Sequence, residues 1–137
     1  MCKVKLLDMV NVHDCGTLIN PALAEAQVHG GMSMAIGYGL SEELKFDEKT
    51  GRPLNNNLLD YKLSTFMDHP TLKSAFVENP EPTSPYGVKG LGEPPAASGA
   101  PAIRNAILQA TGVEIDRCPM TPHVLYQEFK KAGLIND

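Results

Sequence analysis

The chain has no tryptophan, only 6% of its residues are aromatic, and its formal net charge is -4. A nucleic-acid surface needs a basic face with aromatic side chains on which bases stack, so that class of partner is disfavoured. A membrane span needs about 18 or more consecutive apolar residues, and no such run is present. The opening MCKVKLLDMVNV carries no signal-peptide cleavage pattern, and a cytoplasmic location is expected. Cysteine is scarce: Cys2, Cys15 and Cys118 are odd in number and in no CxxC spacing. That suits reduced thiols and offers no ligand set for an iron–sulfur cluster. His13, His29, His69 and His123 are as scattered. Only His13 and Cys15 fall close, and without a second pair at a metal-site spacing no metal held directly by side chains is expected.

What remains is ordinary globular material, 137 residues with 42% apolar and 20% charged. That fits a single domain, residues 1–137, with a real core, though small for enclosing a large cofactor, as one piece of something bigger would be. Its most distinctive stretch is GVKGLGEPPAASGAPAI, Gly87 to Ile103. Gly87, Gly90 and Gly92 permit positive φ and a close approach of main chain to a ligand. Pro94 and Pro95 suit the first turn of a helix, where the missing N–H groups have no intrahelical partner anyway. Glu93 therefore stands at a helix entrance, where the helix dipole and apolar neighbours (Val88, Leu91, Ala96, Ala97) can tune its proton affinity. The plainer reading of the same spacing is a glycine turn whose Glu caps a helix.

Along the chain, Lys3 to His13 reads as a strand that needs neighbours from elsewhere, ending in the turn Asp14 to Gly16. Asn20-Pro21 is a helix start, Asn at N-cap and Pro at N1. In the helix that follows, Gly30, Gly31, Gly37 and Gly39 each cost about 1 kcal/mol relative to Ala unless another backbone or a ligand comes close. Gln27 is polar amid small residues, and its amide both donates and accepts; a solvent-facing role explains its spacing equally well. Glu42 to Phe46 reads as a strand leading into a hairpin turn at Gly51, and Leu72 to Val77 as a short strand. Leu58, Leu59, Tyr61 and Leu63 are candidates to anchor the Asn-rich segment between them. A second helix, Pro94 to Thr111, ends at Gly112, and Thr121-Pro122 opens a third that Gly133 stops. The fold expected is α/β (α+β): two longer helices, about Pro21 to Leu40 and Pro95 to Thr111, and a short C-terminal helix on a small mixed sheet. Val4 to Val12, Glu43 to Phe46 and Leu72 to Val77 are its expected strands.

Three segments in order, DCGTLINPALAEAQVHGGMSMAIGYGLSEEL, PLNNNLLDYKLSTFMDHP and YGVKGLGEPPAASGAPAIRNAI, resemble the C-terminal part of the molybdenum-binding subunit of the xanthine dehydrogenase and aldehyde oxidase family, its bacterial xanthine dehydrogenase branch most of all. The resemblance implies part of a larger molybdopterin-binding domain. In that family a molybdenum-bound hydroxyl attacks an electron-poor substrate carbon, hydride passes to a sulfido ligand, and the motif's glutamate is the general base. By the motif match that role falls on Glu93, the cofactor contact on Gln27, and the close backbone approach on Gly90 and Gly92. Lys89 matches the motif's lysine, equally well explained as an exposed charge. The resemblance further implies a molybdopterin-type cofactor, with iron–sulfur clusters and FAD carried by other subunits or domains. Its implied partners are the rest of the molybdenum subunit and a xanthine- or hypoxanthine-like substrate. Two alternatives stay open: a non-catalytic assembly domain that keeps the fold, and a family member acting on an aldehyde or a nicotinate-like ring.

Overall fold

The computed structural model describes residues 2–136. Asn20 does what its position before Pro21 predicts: its side chain accepts a hydrogen bond from the Leu23 N–H at 3.1 Å and opens α1, Pro21–Leu40. α1 separates in sequence two strands, β1 (Asp8–Asp14) and β2 (Thr71–Val77), that pair in parallel from Asp8↔Thr71 to Asp14↔Val77. A parallel pair cannot be closed by a tight turn, and α1 with the loops after it makes the long crossover. The remaining α-helices among the described residues are α2 (Pro94–Ala97), α3 (Gly99–Thr111) and α4 (Pro122–Lys131), with short 3-10 turns at Phe66–Asp68 and Pro85–Gly87. The architecture is the expected α/β class.

Ile36 of α1, Ile103 and Ile107 of α3, Ile115, Met120, and Val124 and Leu125 of α4 form one buried cluster, with Val4, Leu6, Met9 and Leu72 packed against it. Burial of each large side chain contributes roughly 1.5–3 kcal/mol, which fixes α3 and α4 against α1. Gly39 serves this packing, since a Cβ there would lie 3.2 Å from Ile103 Cδ1.

Three details differ from the sequence reading. The sheet has two parallel strands, because Glu43–Phe46 contributes only an isolated bridge, Phe46↔Pro53. The expected hairpin forms around that bridge, with Leu54 N–H on the Lys45 carbonyl at 2.8 Å, while a side chain takes the rest: Lys45 N–H donates to Asn55 Oδ1 at 2.8 Å, and Asn55 Nδ2 donates to the Glu43 carbonyl at 2.7 Å. The second helix is broken at Ser98 into α2 and α3, since Pro101 has no N–H for the Ala97 carbonyl; the ladder resumes with Ala102 N–H on Ser98 at 3.1 Å. Of the Asn-rich segment's candidate anchors, Leu58 and Leu59 are exposed, and Tyr61 holds the loop through its hydroxyl to Glu42 at 2.8 Å. Among the described residues no helix is long and apolar enough to cross a membrane.

Candidate active site

The turn after β1 and the glycine loop are laced together. Thr17 N–H donates to the Gly87 carbonyl at 3.0 Å, and Lys89 N–H donates to the Cys15 carbonyl at 2.9 Å. Gly87 has φ +71°, and a Cβ there would lie 2.8 Å from Pro80 Cβ and 3.0 Å from Thr17 Oγ1, so only glycine fits. The Lys89 ammonium donates to Asp14 Oδ2 at 2.6 Å. That hydrogen bond first, then one from the Gly16 N–H, holds the Asp14 carboxyl below the usual carboxylate range. The motif's lysine is thus partnered, and it pins the loop to the end of β1.

Beyond Lys89 the loop turns outward. Gly90 and Gly92 are exposed and do not use the positive φ that glycine permits; a Cβ on either would meet nothing within 4 Å among the described residues. Gln27 reaches across from α1, and its Nε2 donates to the Gly92 carbonyl at 3.2 Å, 65 residues away in sequence. A carbonyl can only accept, so the amide's orientation is fixed, leaving Oε1 and a second N–H free to act outward.

Glu93 follows at once, at the N-cap of α2, yet its side chain caps nothing. The carboxylate takes no hydrogen bond and forms no ion pair among the described residues, and it is exposed where apolar neighbours were expected to desolvate it. The helix-cap role therefore does not account for it. Its backbone is held firmly from behind. Asn11 of β1, only 7% exposed, donates from Nδ2 to the Pro95 carbonyl at 3.0 Å and accepts from Ser98 Oγ at 3.3 Å. The sequence analysis does not single out Asn11, whose one local signal is an amide between the apolar Val10 and Val12.

The glycine loop and α1 border a hollow of about 250 Å³ lined by Cys15, Asn20, Leu23, Gln27, Lys89 and Leu91. A larger one, about 640 Å³, lies elsewhere, between residues 3–6, the end of α1 and the 62–69 loop, and contains none of the candidate site residues. Among the described residues no group of three or more His, Cys, Asp and Glu side chains could hold a metal ion. The unused polar atoms of Gln27, the bare backbone at Gly90 and Gly92 and the Glu93 carboxylate, unpartnered among the described residues, are groups that fit an organic cofactor carrying its own metal.

The molybdopterin cofactor-binding domain family matches residues 1–70, half of the chain. The putative xanthine dehydrogenase molybdenum-binding subunit of Escherichia coli strain K12 is 57% identical over 135 residues, which is 98% of this chain and 18% of that protein. Among solved structures, quinoline 2-oxidoreductase from Pseudomonas putida 86 superposes with a TM-score of 0.84 at 35% identity, over 91% of this chain and 16% of that one. The aldehyde oxidoreductase from Desulfovibrio gigas gives 0.83 at 32% identity, over 94% and 14%. The chain thus spans less than a fifth of the length of each of these relatives.

Proposed function

The chain belongs to the molybdopterin cofactor-binding domain family, and on that premise we propose that it forms the catalytic part of a xanthine dehydrogenase-like molybdenum hydroxylase, which hydroxylates a purine or related N-heterocycle at carbon. The observation that carries this reading is the Gln27–Gly92 hydrogen bond beside an unpartnered Glu93. Two segments remote in sequence meet there, and each keeps polar groups unused among the described residues.

When bound, the molybdenum cofactor supplies the two-electron oxidation by which substrate and water become a hydroxylated product, two electrons and two protons. Glu93 receives one of those protons. With no hydrogen bond to it among the described residues, its lone pairs are available, and the carboxylate acts as general base once cofactor and substrate cover it. Gln27, locked by the Gly92 carbonyl, offers Oε1 and its second N–H to the cofactor. Gly90 and Gly92 let the main chain come against it. The residues that orient the substrate belong to the remainder of the molybdenum subunit, and iron–sulfur and FAD subunits carry the electrons onward.

The test is anaerobic reduction of the complete enzyme containing this chain by xanthine, hypoxanthine, an aldehyde and nicotinate in turn. Fastest reduction by a purine is expected. Faster reduction by the aldehyde or nicotinate would overturn the substrate class and leave the chemistry. A purified complex without molybdenum or pterin would overturn the enzyme reading in favour of an assembly domain.

A further inference from the structure

β1 is only half used. Before its first paired residue, Asp8, residues 3–7 already alternate in exposure as a strand's do, with Val4 and Leu6 turned to the core and Lys3, Lys5 and Leu7 outward. Yet residues 3–6 make no backbone–backbone hydrogen bond among the described residues. Among the described residues β1 pairs only with β2, which leaves its other edge without a strand. Unpaired edge groups of this kind template a further strand.

A hollow of about 300 Å³ runs beside that edge, bordered by Leu6, Val10, Gly99, Ala102, Ile103 and Ala106. Residues from both faces of β1 line it, Met9 from the inner and Val10 from the outer, and no described residue of β2 does. It therefore lies along the edge away from β2, between β1 and α3. Three of its four α3 residues are small, Gly99, Ala102 and Ala106, leaving depth for side chains from another segment. On the outer face of the sheet Val10, Val12 and Val77 are more than half exposed, although parallel strands ordinarily have both faces covered.

We infer that an extended segment from the remainder of the large subunit adds as a strand along β1, from about Lys3 to Val12, and sets alternate apolar side chains into the groove against Ala102 and Ala106. The occupant follows from length: the chain accounts for 18% of its 57%-identical relative, so most of such a subunit remains to cover this edge. The inference rests on the functional reading only in taking that remainder as the partner. It makes the β1 edge the seam on which the catalytic piece is mounted.

The test co-expresses this chain with the Escherichia coli subunit from which the matching 135-residue stretch has been removed, and follows amide hydrogen exchange. Amides of residues 3–12 are expected to exchange at least about tenfold more slowly in the complex than in the chain alone. Ala102→Arg with Ala106→Arg, both exposed on α3 and helix-compatible, should weaken the complex by about tenfold or more while the isolated variant melts as the parent does. A complex protected only elsewhere overturns the seam and leaves the enzyme reading standing. Protection of residues 3–12 by self-association of the chain alone assigns the edge to a second copy and overturns the inference. So does failure to form any complex, even if the complete enzyme turns over xanthine.

Discussion

Gly31 of α1 and Pro95 of α2 are in such close contact that a Cβ on Gly31 would stand 2.5 Å from Pro95 Cβ and 2.9 Å from the Pro95 carbonyl carbon. This contact sets the distance between the helix that carries Gln27 and the turn that carries Glu93. Gly31→Val should force the two apart, at about 1–3 kcal/mol in denaturant unfolding, and should lower molybdenum retention in the complete enzyme. Unfolding within error of the parent would mean that α2 yields and sets no distance.

Gly30, its neighbour, supplies the opposite case. A Cβ there meets nothing of this chain within 4 Å, so Gly30→Ala should stabilise the isolated chain by roughly 0.5–1 kcal/mol, the ordinary helix gain. If the exposed face of α1 lies against cofactor or subunit, the same substitution should reduce cofactor content or assembly. Gain in both settings would show that nothing approaches Gly30.

Asn11 holds α2 through the Pro95 carbonyl and the Ser98 hydroxyl. Asn11→Ala leaves that carbonyl buried without a donor, a loss of about 1–3 kcal/mol. Chemical denaturation of the purified variant measures it, and a change below about 0.5 kcal/mol would show that water replaces the amide.

The Asp14–Lys89 pair gives a pH dependence of known sign. Because the folded Asp14 carboxyl is held below its ordinary value, its stabilisation is fully present above the unfolded value of about 3.9 and is lost as pH falls through the folded value. By carbon-detected NMR, Asp14 should titrate below that unfolded value in the parent and shift upward in Lys89→Met. An unchanged titration in Lys89→Met would separate the two side chains.

What the sequence made legible was local chemistry. Asn20-Pro21 and Thr121-Pro122 start helices because cap and proline act within one turn, and Thr121 Oγ1 indeed accepts from the Val124 N–H at 3.3 Å. Gly112 ends α3 with φ 73° for the same local reason. Glu43–Phe46 stops short of a strand because only its Phe46 end pairs with backbone across the Gly51 turn, while the Asn55 side chain takes the Lys45 N–H and the Glu43 carbonyl, which periodicity cannot report. Within the glycine loop only Gly87 takes a positive φ, and of the atoms that crowd it Thr17 Oγ1 comes from a segment remote in sequence, which spacing cannot report. Asn11 was missed because its partner is a main-chain carbonyl 84 residues on. Gln27 and Glu93 were singled out by motif, and their adjacency emerged only in three dimensions.

The central claim is that Glu93 is the proton acceptor of the reaction, mounted on a frame that Gln27 helps to hold. Gln27→Ala should act through that frame, lowering molybdenum content more than the turnover of enzyme that retains it. Glu93→Asp should be impaired, since it draws the carboxylate back by about one carbon–carbon bond from a proton that must be met at hydrogen-bond distance. Glu93→Gln separates the claim most cleanly, because it keeps size and polarity and removes the basic oxygen. The measurement is the anaerobic single-turnover rate at which substrate reduces the molybdenum of the complete Glu93→Gln enzyme, its metal content verified. A loss of about 10²–10⁴-fold or more, at unchanged metal content and substrate affinity, is the predicted result. A rate within a factor of about 5 of the parent, well short of the general-base range, would contradict it and remove Glu93 from the proton transfer.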